Sequence, residues 1–413
     1  MTNYVISEAA RCLNCKKPFC QEGCPIRTPI PTVIQLLNDN KLNEAGQMLF
    51  DNNPLSLVCS LICNHANQCE GHCIQGRKNS AVHISDIEHY ISDTYFDKMK
   101  IECAPWNGKM VAIIGSGPAG IAVAIIMTKK GYKVTIFESK DKIGGVMQYG
   151  IPEFRLPKSV LERYKKKLIE IGVSIRPNTT IGGALEIHNL LEDGYSAVFI
   201  GTGVWRPKTL GVKGESLGNV HFGIDYLASP KAFSLGNNLA IIGTGNTAMD
   251  VARTALRQGV EKVTIYSHSN TLSAAKAEAD YARLDGCNFE YDLETVEITP
   301  EGPLFKKKIR DENGEVTGFE PELVHVKCDS VIICVSQGPK NKLILTTPGL
   351  KGNEKGLLIT ENTGMTTVEG LFAAGDVVSG AKTIVQAIAQ AKVVAEKMDE
   401  YIQRKEQQNT SKV

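Results

Sequence analysis

The segment 111-VAIIGSGPAGIAVA-124 decides the fold of this 413-residue chain. An apolar strand pattern leads into Gly115, Gly117 and Gly120, which have the spacing of a dinucleotide-binding turn. Such glycines let the main chain approach a pyrophosphate, and the following helix presents free amides to it. Glu138 ends the next apolar strand about twenty residues on, where a carboxylate can hold a ribose diol. The segment therefore predicts a nucleotide-binding strand, turn and helix, the alternative being a glycine-rich turn without a ligand.

Two later segments extend this pattern. The segment 239-LAIIGTGNTAMDVA-252 nearly repeats the first one, but Ala248 replaces the third glycine. Its next strand ends at Tyr266-Ser267-His268, without an acid. Near the C-terminus, 370-GLFAAGDVVSGAKTIVQAIAQAK-392 predicts a strand that delivers Gly375-Asp376 to a helix beginning around Thr383. Two dinucleotide-binding units in one chain imply two nucleotides.

Composition narrows the class of protein. The formal net charge is +1 with interspersed charges, so we expect no nucleic-acid partner. The N-terminus has no basic segment followed by an apolar stretch, and the longest uncharged run contains a Gly-rich turn, so we expect no membrane span and a cytoplasmic location. Residues 1–108 are cysteine-rich and helical in pattern, and alternating strands and helices after Lys109 predict an α/β fold with a parallel sheet. The polar end 406-EQQNTSKV-413 is expected to be a frayed tail after a helix over about 383–404.

Eight of the twelve cysteines lie before residue 74, in two runs. The first run is C-x2-C-x4-C-x3-C-P and the second is C-x3-C-x5-C-x3-C. In a cytoplasmic protein, clustered cysteines indicate metal ligands rather than disulfides. Neither run pairs two C-x2-C knuckles, so zinc fits poorly, whereas ferredoxin-like runs end in Cys-Pro and share ligands between clusters. Iron–sulfur clusters are the favoured interpretation, and structural zinc or idle thiols are the alternatives.

The three later motifs resemble, over about residues 109 to 400, the two-dinucleotide flavoprotein fold of the glutathione-reductase type. In that family the first turn holds the ADP half of FAD, the late Gly-Asp contacts the ribityl-phosphate region, and the second turn holds NAD(P)H. The resemblance implies an α/β fold with a helical N-terminal iron–sulfur domain ahead of two Rossmann-like domains. The expected domains are 1–108 for iron–sulfur, 109–210 and 335–413 for FAD, and 211–334 for NAD(P)H.

Disulfide reductases of this fold need a close cysteine pair beside the flavin. After residue 108 only Cys287, Cys328 and Cys334 remain, and none is spaced as such a pair. We expect these three to be buried apolar thiols, so that electrons leave by another route.

The N-terminal runs, together with 144-GGVMQYGIPEFRLP-157, resemble the small subunit of glutamate synthase and the electron-input part of dihydropyrimidine dehydrogenase. The likeness runs from about Arg11 to Tyr401, and that family carries two [4Fe-4S] clusters with interleaved ligands. It implies that Cys12, Cys15, Cys20 and Cys73 bind one cluster, and that Cys24, Cys63, Cys69 and Glu88 bind the other. His89 is the competing choice for the eighth ligand, and Cys59 occupies a position that the family does not use as a ligand.

The same resemblance implies the nucleotide contacts. The FAD contacts are Gly115, Gly117, Pro118, Ala119, Gly120, Glu138, Gly145, Arg155, Gly375, Asp376, Lys382 and Thr383. The NAD(P)H contacts are Gly243, Gly245, Asn246, Thr247, Ser267 and His268. Glutamate synthase small subunits usually have an arginine pair, which grips the 2′-phosphate of NADPH, where this chain has Ser267 and His268. We therefore expect NADH to be preferred. This departure, the shorter chain and the segment 380-GAKTIVQAI-388 favour the separate NADH-using subunit of bacterial dihydropyrimidine dehydrogenase.

The implied function is oxidation of NAD(P)H through FAD and two [4Fe-4S] clusters for a catalytic partner subunit of the FMN-barrel type, in a hetero-oligomer. No catalytic side chain is needed, because the cofactors carry the chemistry. One alternative is a stand-alone NADH:ferredoxin-type or bifurcating oxidoreductase that uses a ferredoxin-like carrier. Another is a redox-sensing iron–sulfur scaffold without hydride chemistry, against which the intact glycine motifs, Glu138 and Asp376 argue. The substrate of the partner is not specified by the sequence.

Overall fold

The two repeated segments form the same strand–turn–helix–strand unit in the computed structural model, which describes residues 2–410. In both units the strands have five residues and the helix has 12. The paired strands are parallel, with Ile113 opposite Ile136 and Ile241 opposite Ile265. The predicted near-repeat is therefore confirmed as a structural repeat.

The remaining elements follow the predicted alternation. The α-helices are α1 (Thr2–Ala10), α2 (Phe19–Glu22), α3 (Ile30–Asn38), α4 (Leu42–Asn52), α5 (Ser56–Ile62), α6 (Ile84–Phe96), α7 (Pro118–Lys129), α8 (Val146–Tyr149), α9 (Lys158–Glu170), α10 (Ile187–Glu192), α11 (Gly223–Ala228), α12 (Asn246–Arg257), α13 (Lys276–Leu284), α14 (Lys342–Thr346), α15 (Asp376–Ser379) and α16 (Ile384–Thr410). The strands are β1 (Met110–Ile114), β2 (Lys133–Phe137), β3 (Ser174–Arg176), β4 (Tyr195–Ile200), β5 (Arg206–Pro207), β6 (Val220–Phe222), β7 (Asn238–Ile242), β8 (Lys262–Tyr266), β9 (Asn288–Glu290), β10 (Leu293–Thr299), β11 (Gly302–Arg310), β12 (Val316–His325), β13 (Ser330–Ile333), β14 (Gln337–Gly338) and β15 (Leu371–Ala373). Short 3₁₀ helices are His65–Asn67, Glu70–His72, Ile74–Arg77 and Pro230–Ala232.

The first compact unit comprises Met1–Gln148, Glu153–Val204 and Pro339–Val413. Its sheet has the order β15-β4-β1-β2-β3 with parallel pairing throughout. The central strand β1 is apolar at every position and buried over most of its length, as expected of a parallel strand covered on both faces. The apolar helix α7 packs against β1 and against α16, so its first turn is held at the carboxyl end of β1.

The second compact unit comprises Tyr149–Pro152 and Trp205–Gly338. Its parallel sheet has the order β6-β13-β7-β8-β9, and an antiparallel sheet β10-β11-β12 accompanies it. This two-unit division does not by itself test the four domain segments expected from the sequence, which stay a prediction.

The N-terminal region is helical, as its composition predicted. Within this region the amphipathic helices α3 and α4 are separated by a break at Asn40, which has a positive φ of 60°. The buried faces of these helices pack with α1 and α6 in one apolar cluster, to which several of the cysteines also belong. This packing holds the cysteine-bearing loops together.

The C-terminal helix differs from the expectation. It continues to Thr410, so the predicted frayed tail is wrong for 406–410, while 411–413 lie outside the described residues. An ion pair of 3.0 Å between Glu406 and Lys109 helps to explain the extra turn. Within residues 2–410 no helix combines the length and the apolar composition needed to cross a membrane.

Candidate cofactor sites

Four N-terminal thiols line one cavity. They are Cys12, Cys15 and Cys20 of the first run and Cys73, the last cysteine of the second run. The other walls are mainly apolar, with Ile30, Ile34 and Val82 among them. Burial and the neighbouring thiolates of Cys73, Cys12 and Cys15 raise the pKa of Cys20 to about 11. We call this cavity the first cluster site, and its cysteines are the set that the family resemblance implies.

A second group of donors lies around α6. Burial raises the pKa of Cys69 well above its ordinary value, and the charges of Glu88 and Cys24 add to the effect, which places the three side chains close together. Cys63 belongs to the same group, because Glu88 and Cys69 also raise its pKa. We call this group of Cys24, Cys63, Cys69 and Glu88 the second cluster site. It is again the set that the resemblance implies.

The neighbours of the second cluster site separate the competing ligands. Burial, followed by the charge of Glu70, raises the pKa of Glu88 to about 8. The His89 ring instead lies 3.3 Å from the hydroxyl of Ser60, measured at Nδ1. Cys59 is buried, and its thiol hydrogen-bonds Cys63, which is the first cause of the raised pKa of Cys63. Glu88 is thus buried among the other members of the second cluster site, and Cys59 lies beside Cys63. The choice of Glu88 over His89 as the eighth ligand stays a prediction.

The donor sets fit iron–sulfur clusters. The thiolates of Cys20 and Cys69 are disfavoured by burial beside other anionic groups, which is a cost that a positively charged centre would remove. Thiolates are soft ligands that suit such clusters, and apolar walls exclude water. Among residues 2–410 no three His, Cys, Asp or Glu side chains are close enough to hold a single metal ion. A four-iron cluster is wider than one ion and spaces its thiolates accordingly.

Two buried polar atoms beside the second cluster site have no protein partner: the hydroxyl of Tyr164 and Nε2 of His65. Burial raises the pKa of Tyr164, and the charges of the nearby Cys59 and Glu88 raise it further. The histidine ring lies by the backbone of Cys59. Buried polar groups are nearly always hydrogen-bonded, so these two atoms also fit a group that accepts hydrogen bonds.

The first dinucleotide turn, at Gly115–Gly120, leaves room for a ligand to approach the main chain closely. Gly117 precedes α7 without a side-chain cap, so the first amides of α7 are free for an anion. A Cβ atom added at Gly117 would meet only the carbonyl oxygen of Gly201, at 3.9 Å, so the space in front of the turn is open. At Gly120 a Cβ atom would lie 2.0 Å from the carbonyl oxygen of Gly115, so helix and strand can approach closely only with glycine there.

Glu138 is fixed against this turn. Its Oε2 accepts hydrogen bonds from the amide of Ser116 at 2.9 Å and from the hydroxyl of Ser116 at 2.5 Å. Its Oε1 accepts one from the amide of Lys140 at 2.9 Å. The carboxylate is therefore pre-positioned at the end of β2, where the fold expects a ribose.

Three motifs far apart in sequence meet at this turn. A Cβ atom on Gly145, where φ is +55°, would lie 2.8 Å from the Cα atom of Gly117. One on Gly375, where φ is +79°, would lie 3.3 Å from the Cβ atom of Ala119. The amide of Gly375 donates to Oε1 of Gln390 at 3.0 Å, which ties α16 to the same place. The glycines expected to contact one FAD molecule are thus brought together.

The remaining residues expected to contact FAD lie near α15 or in the loop after α8. Asp376 begins α15, and its Oδ1 accepts a hydrogen bond from the Lys382 amide at 3.2 Å. Burial raises the pKa of Asp376 to about 6, although that amide opposes the effect. The hydroxyl oxygen of Thr383 accepts a hydrogen bond from the Gln386 amide at 3.4 Å and so caps the start of α16. The side chain of Lys382 is exposed, and Arg155 is partly exposed in the loop after α8.

The second dinucleotide turn has the same form. Gly243 has a φ of +128°, and a Cβ atom there would lie 2.3 Å from the carbonyl oxygen of Cys334. Gly245 precedes α12 without a side-chain cap, and Asn246 and Thr247 form the first turn of that helix. Asn246 accepts a hydrogen bond from the amide of Ala275 at 2.8 Å. Free helix amides in front of Gly245 again suit a pyrophosphate.

Ser267 and His268, which follow β8 and were expected to contact NAD(P)H, have different surroundings. Ser267 is only 1% exposed, and its hydroxyl donates to the carbonyl oxygen of Ser269 at 2.7 Å. His268 is exposed, and Lys308 donates to its carbonyl oxygen at 2.7 Å. Ser267 therefore shapes the loop, while His268 is the member of the pair whose side chain is open to a ligand.

The residues after 108 carry no thiol pair. In residues 2–410 every cysteine is free, Cys287 and Cys334 are buried as expected, and Cys328 is partly buried. Sequence reasoning did not identify Ser116, Gln390, Tyr164 or Lys308. A small polar residue within the Gly-x-Gly turn could have pointed to Ser116, whereas Tyr164 has the pattern of an ordinary buried position on an amphipathic helix.

Comparison with known proteins agrees with this geometry. Residues 109–391 match the family described as pyridine nucleotide-disulphide oxidoreductase, and residues 1–100 match the family described as dihydropyrimidine dehydrogenase domain II, 4Fe-4S cluster. The chain is 33% identical to the glutamate synthase [NADPH] small chain of Halomonas elongata, with 96% of this chain and 90% of that protein covered.

Two further comparisons show the range of the likeness. The chain is 30% identical to the NADP(+)-dependent formate dehydrogenase subunit beta of Moorella thermoacetica, covering 94% of this chain and 61% of that protein. The structure of Mycobacterium tuberculosis FprA in complex with NADPH superposes with a TM-score of 0.61 at 17% identity, covering 74% of this chain and 86% of that one. This last likeness shows the flavoprotein fold.

Proposed function

The chain belongs to the pyridine nucleotide-disulphide oxidoreductase family and to the same family as the glutamate synthase small chains, and we propose that it oxidises NAD(P)H for a separate catalytic subunit. Electrons would pass through FAD and two [4Fe-4S] clusters. The observation that carries the proposal is the gathering of eight donors into two sets in the same compact unit as the first dinucleotide turn.

The residues of this chain would bind and position the cofactors. The free amides of α7 would hold the pyrophosphate of FAD, Glu138 its adenosine ribose, and Gly375-Asp376 the region near the ribityl phosphate. The amides of α12 would hold the pyrophosphate of the coenzyme. When bound, FAD takes up a hydride and releases single electrons, and iron–sulfur clusters carry those electrons singly.

The cysteine shells would then determine how the clusters behave. The mainly apolar walls around the first cluster site would limit the contact of its cluster with water, and a carboxylate ligand in the second site would make the two clusters chemically unequal. We also propose the type of partner subunit. An FMN-barrel subunit acting on a pyrimidine or on 2-oxoglutarate with glutamine is favoured by the resemblance, and a ferredoxin-like carrier is the alternative.

Anaerobic titration with NADH and with NADPH tests the proposal. Protein purified without oxygen should contain about eight iron, eight sulfide and one FAD per chain. The flavin absorbance should bleach on addition of at least one coenzyme. Stoichiometric zinc without sulfide would exclude the clusters. Bound FAD that neither coenzyme bleaches would favour the redox-sensing scaffold.

A further inference from the structure

The first cluster site opens to the surface through side chains that are themselves exposed. Leu13, Phe19 and Ile74 line the cavity together with the four cysteines. These three side chains are 61%, 40% and 38% exposed. Only one layer of side chains therefore separates the cysteine cavity from solvent on this face. The second cluster site has a buried ligand, Cys69, and lies beside the buried Tyr164 of the flavin-binding unit.

The rim of this face is positively charged. Lys16 and Lys17 lie in the turn between Cys15 and the cavity residue Pro18, and both are exposed. The guanidinium of Arg77 lies 5.5 Å from the ring centre of Phe19. The adjacent Lys78 is also exposed, and the segments 12–24 and 73–80 contain one acid, Glu22. Glu70 lines a neighbouring cavity with Phe19 and Arg77, but its carboxylate accepts hydrogen bonds from Ser85. Exposed apolar side chains ringed by cations are unusual on a surface that meets only water.

We infer that this face, formed by Leu13, Phe19, Ile74, Lys16, Lys17 and Arg77, is where an acidic electron-accepting protein docks. The inference rests on the proposed function, which supplies the electrons. Charge complementarity would steer the partner, and the apolar centre would bring its redox centre close to the first cluster site. For each NADH oxidised to NAD⁺, one proton is released and two single electrons leave, each reducing one acceptor centre.

Rubredoxin, a small acidic protein that accepts one electron, serves as the probe. The holoenzyme is mixed anaerobically with NADH and rubredoxin, and bleaching of the rubredoxin absorbance gives the rate. We expect Lys16→Glu/Lys17→Glu to lower this rate at least tenfold at low salt and to flatten its dependence on ionic strength. The rate with basic cytochrome c should rise in the same variant. The matched control is Lys306→Glu/Lys307→Glu, an exposed lysine pair on β11.

Reduction of menadione, a neutral quinone, and bleaching of the flavin by NADH are measured in parallel. If wild-type flavin does not bleach, the proposed function fails. If the flavin bleaches but rubredoxin is not reduced, or if the β11 control slows rubredoxin as much as the Lys16/Lys17 variant, the docking face is wrong. An equal loss with rubredoxin, cytochrome c and menadione would also contradict it.

A different observation carries a second inference, on Tyr164. This side chain is 1% exposed, and its hydroxyl lies near the backbone of Leu57 but finds no protein atom that accepts its proton. Its ring packs edge-on against that of Phe96, with 4.6 Å between the ring centres. Phe96 is on α6, the helix that also carries Glu88. The residue itself is on α9, in the sequence segment expected to bind FAD. A buried hydroxyl in this position needs an acceptor that the protein atoms do not supply.

The geometry points to Tyr164 as a positioning residue that donates a hydrogen bond to the group held at the second cluster site. A hydrogen-bond donor stabilises the more negative, reduced form of a cluster and so raises its reduction potential. Tyr164→Phe keeps the ring and its contact with Phe96 while removing the donor. Tyr226→Phe is a matched control, because Tyr226 is fully buried in the second compact unit and its hydroxyl also lacks a partner.

A redox titration followed by EPR, after iron and sulfide are assayed, tests this second inference. We expect Tyr164→Phe to lower the potential of one cluster and to leave the other unchanged, with wild-type iron content. Tyr226→Phe should leave both potentials at their wild-type values. Unchanged potentials in Tyr164→Phe, or the same shift in Tyr226→Phe, would show that Tyr164 is only a packing residue.

Discussion

Cys73 links the two cysteine runs at the scale of single residues. It is the last cysteine of the second run, yet it lies with Cys12, Cys15 and Cys20 around one cavity. Cys24 ends the first run in sequence but lies with Cys69 and Glu88. The two sets of donors are therefore interleaved in sequence. If each set binds one cluster, as we propose, neither run can form its cluster without the fold that brings the other run to it.

Removing Cys73 should destroy one cluster specifically. Cys73→Ser removes one thiolate from the set that contains Cys12, and the serine oxygen is a hard ligand that binds iron–sulfur clusters poorly. The iron content should therefore fall by about half. Cys24→Ser should damage the other cluster, and the EPR spectra of the two variants should be complementary. Cys103→Ser, at an exposed thiol, is the control. Identical residual spectra in Cys73→Ser and Cys24→Ser would contradict the interleaving.

Glu88 should complete the second cluster site. A carboxylate oxygen is a harder ligand than a thiolate and alters the properties of its cluster. Glu88→Ala should therefore change the potential or EPR signature of one cluster only. His89→Ala, which removes only the contact with Ser60, should leave both signatures intact. The reverse outcome would assign the eighth ligand to His89.

NADH should be preferred over NADPH because the strand end after Tyr266 offers no arginine pair. A hydrogen bond to a charged group contributes roughly 1.5–3 kcal/mol, so two partly exposed ones would add about 2–3 kcal/mol for NADPH. Lys308 lies near this point, but it donates to the His268 carbonyl and lies 3.5 Å from Glu294, which offsets its charge. Steady-state flavin reduction at pH 7.5 with each coenzyme measures the preference.

A single substitution should shift that preference. His268→Arg should raise kcat/KM for NADPH by roughly five- to tenfold, corresponding to one partly exposed charged hydrogen bond. Ser267 is left unchanged, because its buried hydroxyl holds the loop. His325→Arg, at an exposed position on β12, is the control. A wild-type kcat/KM for NADPH equal to or above that for NADH would contradict the predicted preference.

Among the elements, the pairing of α7 and α16 holds the FAD-binding turn in place. Asp399 on α16 accepts hydrogen bonds from the Tyr132 hydroxyl at 2.6 Å and from Lys130 at 2.9 Å, just after α7. Burial alone would raise the pKa of Asp399, but these donors outweigh it and the pKa lies below its ordinary value. The network therefore stabilises the first unit while the carboxyl group is ionised.

Asp399→Ala should destabilise the first unit by about 2–3 kcal/mol at pH 7, because it removes a charged hydrogen bond and leaves the buried Tyr132 hydroxyl unpaired. Urea unfolding measures the loss, and Glu400→Ala, at a 63% exposed carboxylate, should cost under about 0.5 kcal/mol. Since the folded-state pKa is lowered, the contribution is present above about pH 4 and is lost as the pH falls through that pKa. Equal losses in the two variants would contradict this role.

Sequence patterns predicted the elements better than the side-chain partners. The parallel strands, the repeat and the helical character of the N-terminal region follow from local apolar periodicity and glycine spacing, which act within a few residues. The end of α16 was not predicted from local pattern, because one of its contacts is an ion pair between Glu406 and Lys109, which are about 300 residues apart in sequence. The burial of Ser267 and the environment of Tyr164 likewise depend on contacts with distant segments or loop geometry.

At the scale of the whole molecule, one compact unit contains both cysteine sets and the first dinucleotide turn, and the second contains the other turn. This division fits a path for electrons in which the coenzyme binds the second unit and single electrons leave from the first unit. The absence of a thiol pair after residue 108 distinguishes this chain from disulfide reductases that share its fold. We propose, above all, that a hydride taken from NAD(P)H leaves the protein as single electrons.

Anaerobic rapid mixing with NADH, followed by flavin absorbance and by freeze-quench EPR of the same samples, tests that claim most directly. We expect the flavin band to bleach first, the signal of at least one reduced four-iron cluster to grow afterwards, and more than one NADH to be consumed per chain. A flavin that bleaches with one NADH per chain while both clusters stay oxidised would contradict it.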